Sequence, residues 1–180
     1  MKRMVFPVIS VFLVMASALS GMILSGYTAK VSGESMQPTL YSYDMVYGMK
    51  NPSISDLSHM DIIVFNDQYK WSGKHELLIK RVIGLPGDTL TISPQGIISV
   101  NGKEVSREQQ YTAGCVLYDR RTATIHIPKG KIFVRGDNLN VSNDSRYTYC
   151  TRGKDYLVNI GQVSLLEKGI IHTSKIIGRS

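Results

Sequence analysis

Between Met4 and Gly26 the chain runs for 23 residues without one charged side chain. No other feature narrows its folding options as much. A helix of that length reaches about 34 Å, enough to cross a hydrocarbon core of about 30 Å. Lys2 and Arg3 stand just ahead of it, and cations flanking a span stay on the cytoplasmic side. The expectation is one N-terminal transmembrane helix. Residues 1–26 form a basic start and anchor, and residues 27–180 an extracytoplasmic domain. A cleaved signal peptide competes, because Ala16-Ser17-Ala18 has the small-x-small form of a cleavage site. Apolar residues resume at Met22-Ile23-Leu24, which favours a retained anchor.

Beyond Lys30 the pattern changes to short apolar runs. Candidate strands are 44–47, 61–65, 77–83, 89–92, 97–100, 124–127 and 131–135. Turn residues separate them: Gly84-Leu85-Pro86-Gly87-Asp88, Ser93-Pro94-Gln95-Gly96, Asn101-Gly102 and Pro128-Lys129-Gly130. Asn-Gly between such runs signals a tight hairpin. The predicted fold is all-β, mostly antiparallel, a folded-over barrel-like sheet. Residues 103–123 read as a polar excursion, 158–166 as helix or strand, and 170–177 as a strand.

The formal charge is +7. Its basic residues form no block and no nucleic-acid motif, so an anionic lipid surface fits better than nucleic acid. Two cysteines and four histidines show no metal-ligand spacing, and no cofactor is expected. Cys115 and Cys150 leave two readings open: separate thiols, or one disulfide in an oxidising compartment.

Ser35 lies in Ser32-Gly33-Glu34-Ser35-Met36-Gln37-Pro38-Thr39-Leu40. Glycine two places before and proline three after suit a stiff, non-helical loop. A serine nucleophile needs a base. The chain has no G-x-S-x-G elbow and no sign of a His-Asp pair, which leaves lysine. Lys80 follows Leu77-Leu78-Ile79, so strand alternation puts Leu78, Lys80 and Val82 on one face. Burial there would lower the amine pKa toward a working base. Read locally, an exposed lysine on the polar face of an amphipathic strand is the plainer reading. The run 135–147 alone is a polar loop.

Taken together and in order, three stretches resemble type I signal peptidases, the serine–lysine membrane proteases. They are Gly33-x-Ser35-Met36-x-Pro38-Thr39-Leu40, Lys80-Arg81-Val82-Ile83-Gly84-Leu85-Pro86-Gly87-Asp88, and Gly136-Asp137-Asn138 with Ser142-x-Asp144-Ser145-Arg146. The resemblance implies Ser35 as nucleophile and Lys80 as general base. It implies that the Ser35 backbone N–H is an oxyanion donor, that Ser142 orients Lys80, and that Asp144 and Arg146 form a structural pair. Met36 is implied in the substrate pocket. Gly33 stands where some relatives carry a second oxyanion serine, leaving Ser32 as the nearby hydroxyl. Met60 replaces a usual glycine, and Leu139-Asn140 a usual Arg-Asp.

The implied protein is a monomeric, single-pass enzyme of the bacterial inner membrane. It would cleave signal-peptide-bearing preproteins at the lipid bilayer. A dedicated processing peptidase for one substrate, such as a pilin, is the alternative. A non-catalytic tethered module is disfavoured by the retention of both Ser35 and Lys80.

Overall fold

The computed structural model describes residues 26–50, 53–68, 70–73, 76–94, 96–105 and 121–166. Most of the expected anchor and the 170–177 strand lie outside them. Among the described residues no helix is long and apolar enough to cross a membrane.

The described chain forms two antiparallel sheets and one short helix. The strands are β1 (Gly26–Lys30), β2 (Met45–Lys50), β3 (Ile62–Asn66), β4 (Leu77–Gly84), β5 (Thr89–Ile92), β6 (Ile98–Val100), β7 (Lys103–Glu104), β8 (Ala123–His126), β9 (Lys131–Arg135), β10 (Val158–Asn159) and β11 (Val163–Leu166). The helix α1 is Ser145–Arg152. One sheet has the order β1-β2-β11-β3-β4-β9-β10, the other β7-β6-β5-β8. β1 begins at Gly26, the last residue of the expected anchor segment.

β3 explains why the larger sheet is buried on both faces. Its alternating side chains feed two cores. Ile63 and Phe65 join Trp71, Val82, Ile132 and Val134 in one. Val64 joins Val31, Met36, Leu40 and Val46 in another. A strand covered on both faces reads as a continuous apolar run, as Ile62-Ile63-Val64-Phe65 does. β4 sits between β3 and β9 and continues toward the second sheet, where Ile83 packs with Leu90, Ile92, Ile125 and Phe133.

The β4–β9 register shifts between Val82 and Gly84. A Cβ on Gly84 would collide with Ile127 Cδ1 and lie 3.5 Å from Phe133 Cβ. A side chain here would have to displace the end of Ile127, so glycine lets the two sheets close on each other. The Asn101-Gly102 hairpin forms as expected, both residues having positive φ (50° and 80°).

The helix is a correction to the polar loop expected through Tyr147. Asp144 caps it by accepting from Tyr147 N, and Gly153 ends it in the left-handed region at φ 66°. Both are ordinary helix punctuation. Two turns are too short to show an apolar stripe in sequence. The ambiguous run 158–166 resolves into β10 and β11 joined by a 3-10 turn, Ile160–Gln162.

Candidate active site

The loop carrying Ser35 is clasped at its base and anchored from below. Val31 N donates to Asp44 O at 2.8 Å, and Tyr43 N to Val31 O at 2.9 Å. Gly33 takes φ 93°, a region open to glycine. Its N–H donates to Ser42 Oγ and its carbonyl accepts from the same hydroxyl, both at 3.0 Å. Met36 and Leu40 are buried in the core beneath (2% and 0% exposed). The Met36 side chain packs with Val31, Val46 and Val64, which ties the residue after Ser35 to the core.

Lys80 is delivered from the middle of β4. It is 3% exposed, and its Nζ donates to Ser35 Oγ at 2.9 Å and to Ile79 O at 3.0 Å. Desolvation pulls the amine down to about 8, against the raising fields of Asp144, Asp67, Glu76 and Asp137. At pH 7 roughly one amine in ten is then neutral. A neutral amine at that distance can take the hydroxyl proton.

The third stretch holds the other two in register. Asn138 N donates to Ser35 O at 3.0 Å. Arg81 Nε and Nη2 grip Asp137 Oδ1 and Oδ2 at 2.7 and 2.5 Å. Thr39 Oγ1 donates to the same Oδ2 at 2.5 Å. Arg81 Nη1 also donates to Met60 O at 2.7 Å. Thr39, Arg81 and Asp137 therefore tie one residue of each stretch to the others. Sequence reasoning assigned them no role, although all three lay within the quoted motifs.

Gly136 has no room for a side chain. A Cβ there would lie 2.6 Å from Ser142 Cβ and 2.6 Å from the Ser35 carbonyl oxygen. Asp144 Oδ2 accepts from Gly136 N at 3.1 Å, and Ser145 Oγ from Val134 N at 3.0 Å. The helix cap thus satisfies donors at the end of β9. Arg146 Nε lies 3.5 Å from Asp144 Oδ1, and its Nη2 donates to Leu139 O at 2.9 Å. Arg146 fastens the loop through Leu139 back onto α1.

Ser142 Oγ is buried and has no hydrogen-bond partner among the described residues, while Lys80 donates to the Ile79 carbonyl and to Ser35. Ser32 lines the groove beside Gly33, Glu34 and Ser35. Cys150 is disulfide-bonded, while Cys115, the chain's other cysteine, lies outside the described residues.

A hydroxyl set against a buried amine is an arrangement that suits a nucleophile with its base, and the chain's relatives say in which class of serine endopeptidase it sits. The family described as "Signal peptidase, peptidase S26" matches residues 2–180. Signal peptidase I of Bacillus amyloliquefaciens is 34% identical over 77% of this chain and 74% of its own length. Signal peptidase I V of Bacillus subtilis is 32% identical over 81% and 89%. A solved signal peptidase I from Enterococcus faecalis aligns over 64% of this chain and 100% of its own, at 25% identity and a TM-score of 0.45. The chain belongs to the signal peptidase family, peptidase S26.

Proposed function

We propose that this chain is a membrane-anchored endopeptidase that removes signal peptides from exported preproteins with a Ser35–Lys80 dyad. One observation carries the reading. The Lys80 amine is 2.9 Å from Ser35 Oγ, buried, and lowered to about 8 by desolvation. Ser35 Oγ attacks the scissile carbonyl and its proton passes to Nζ. Among the described residues no acceptor takes the Ser35 backbone N–H, which leaves it for the developing oxyanion. Lys80 returns the proton to the leaving amine as the C–N bond breaks. A water then gives Lys80 its proton and its oxygen to the acyl carbon, releasing Ser35.

The groove at Ser35 is about 300 Å³, room for side chains of a peptide bound in extended form beside the loop. The uncharged run of 23 residues ends nine positions before Ser35. An anchor there would hold the site at the membrane face, where a preprotein emerges. The disulfide at Cys150 fits an extracytoplasmic domain.

The test is cleavage of a purified preprotein by the wild-type chain, Ser35→Ala and Lys80→Ala in detergent. Wild type is expected to cut, and both variants to lose activity by several orders of magnitude. Equal activity in all three sinks the dyad.

A further inference from the structure

We propose that Ser42 is a positioning residue of the reaction. Its hydroxyl holds the backbone that leads into Ser35, and so keeps the Ser35 N–H aimed at the developing oxyanion. This rests on the peptidase reading of the same site. The tie is two-sided: Ser42 Oγ accepts from Gly33 N and donates to Gly33 O, both at 3.0 Å. β1 and β2 pair as far as Lys30 and Met45, and the ladder runs on through Val31 with Tyr43 and Asp44. At Gly33 the chain turns off that course with φ 93°, and a side chain supplies the next rung. Among the described residues no other side chain bonds the backbone of residues 32–34.

Ser42 is itself presented from a braced turn. Tyr41 N donates to a carboxylate oxygen of buried Asp44 at 2.9 Å, and Asp44 N to Tyr41 O at 3.1 Å. Tyr43 takes φ 78°, a conformation that L-residues hold only where their surroundings dictate it. The Glu34–Ser35 peptide plane carries the Ser35 N–H. Gln37 N holds the carbonyl of that plane at 3.1 Å from downstream; Ser42, through Gly33, holds it from upstream. Without Ser42 the nucleophile keeps Lys80 Nζ on its hydroxyl and Asn138 N on its carbonyl, but the plane can swing. An oxyanion donor works only while it is aimed. Because that bond strengthens in the transition state, its loss lowers kcat and leaves KM alone.

The experiment compares Ser42→Thr with Ser42→Val, which share a shape and differ in the hydroxyl; Ser42→Ala repeats the loss without the branched side chain. Preprotein cleavage by the full chain in nonionic detergent is measured across pH, beside urea unfolding and amide hydrogen exchange over residues 32–36. Ser42→Val and Ser42→Ala are expected to lower kcat about tenfold, less than deleting an oxyanion donor outright, while Ser42→Thr stays within about twofold of wild type. KM, the urea midpoint and the rise of activity through about pH 8 should hold in all three. Exchange should quicken in the valine and alanine variants and not in the threonine one. Equal kcat in the threonine and valine variants, whether high or low, overturns the proposal. So does a loss of kcat that comes with a moved pH midpoint or a fallen urea midpoint. An exchange contrast without wild-type cleavage keeps the tether and defeats the peptidase reading. Cleavage without any threonine–valine difference does the reverse.

Discussion

Replacing Lys80 with methionine should kill the enzyme and stabilise the fold at neutral pH. The folded amine titrates at about 8 against an ordinary 10.5. The difference, 10.5 − 8, corresponds to about 3 kcal/mol at 1.36 kcal/mol per unit. The sign follows from proton uptake: between those values the unfolded chain holds a proton that the folded chain has lost, so stability rises with pH. The cost is nearly complete below pH 8 and gone above about 10.5. Methionine has a similar shape and no charge, but loses the bonds to Ser35 Oγ and Ile79 O, worth about 1 kcal/mol each. The variant should therefore be about 1 kcal/mol more stable at pH 7. Its advantage should shrink by about 2 kcal/mol, and so reverse, by pH 9.5. Urea unfolding of both proteins measures this, with buried Trp71, the only tryptophan, as reporter. A stability gap that does not change with pH refutes a depressed amine. In wild type, kcat/KM should climb through about pH 8 as the amine deprotonates.

Three further outcomes follow from packing and charge. Gly136→Ala drives a methyl against Ser142 and the Ser35 carbonyl; it should cost about 1–3 kcal/mol and lower kcat, and unchanged kcat would show that the loop yields harmlessly. Asp137→Asn leaves the Arg81 guanidinium, 15% exposed, without its charged partner; a loss of about 2–3 kcal/mol is expected, with Arg81→Lys failing to substitute because it cannot form the two-pronged grip. Met60 holds φ 73° with an exposed side chain, so Met60→Gly should relieve strain and raise stability by about 0.5–1 kcal/mol, read as a higher urea midpoint with activity retained.

How far such features were legible in sequence depended on the range of the forces that make them. Thr89–Ile92 and Lys131–Arg135 appear as strands with the bounds their apolar pattern predicts, because alternation against a core is written locally. β1 was not legible: Gly26-Tyr27-Thr28-Ala29-Lys30 lacks alternation, and it is a strand because β2 lies alongside. Lys80 shows the same divide. Its neighbours left burial and exposure both open, and contact with a serine 45 positions away is created by the sheet; the resemblance to signal peptidases supplied that pairing, not the local pattern.

The clamp of Thr39, Arg81 and Asp137 spans up to 98 positions, and no residue in it announces its partner. The Ile79 acceptor of Lys80 was missed for a different reason. Side-chain identity reveals possible donors and acceptors, but a backbone carbonyl is carried by every residue and leaves no sequence signal. That Ile79 O accepts from the Lys80 amine is a matter of how β4 is placed, not of any side chain's identity. Expectations about salt bridges between named side chains, such as Arg146 with Asp144, are therefore safer from sequence than expectations about which acceptor a buried lysine will choose.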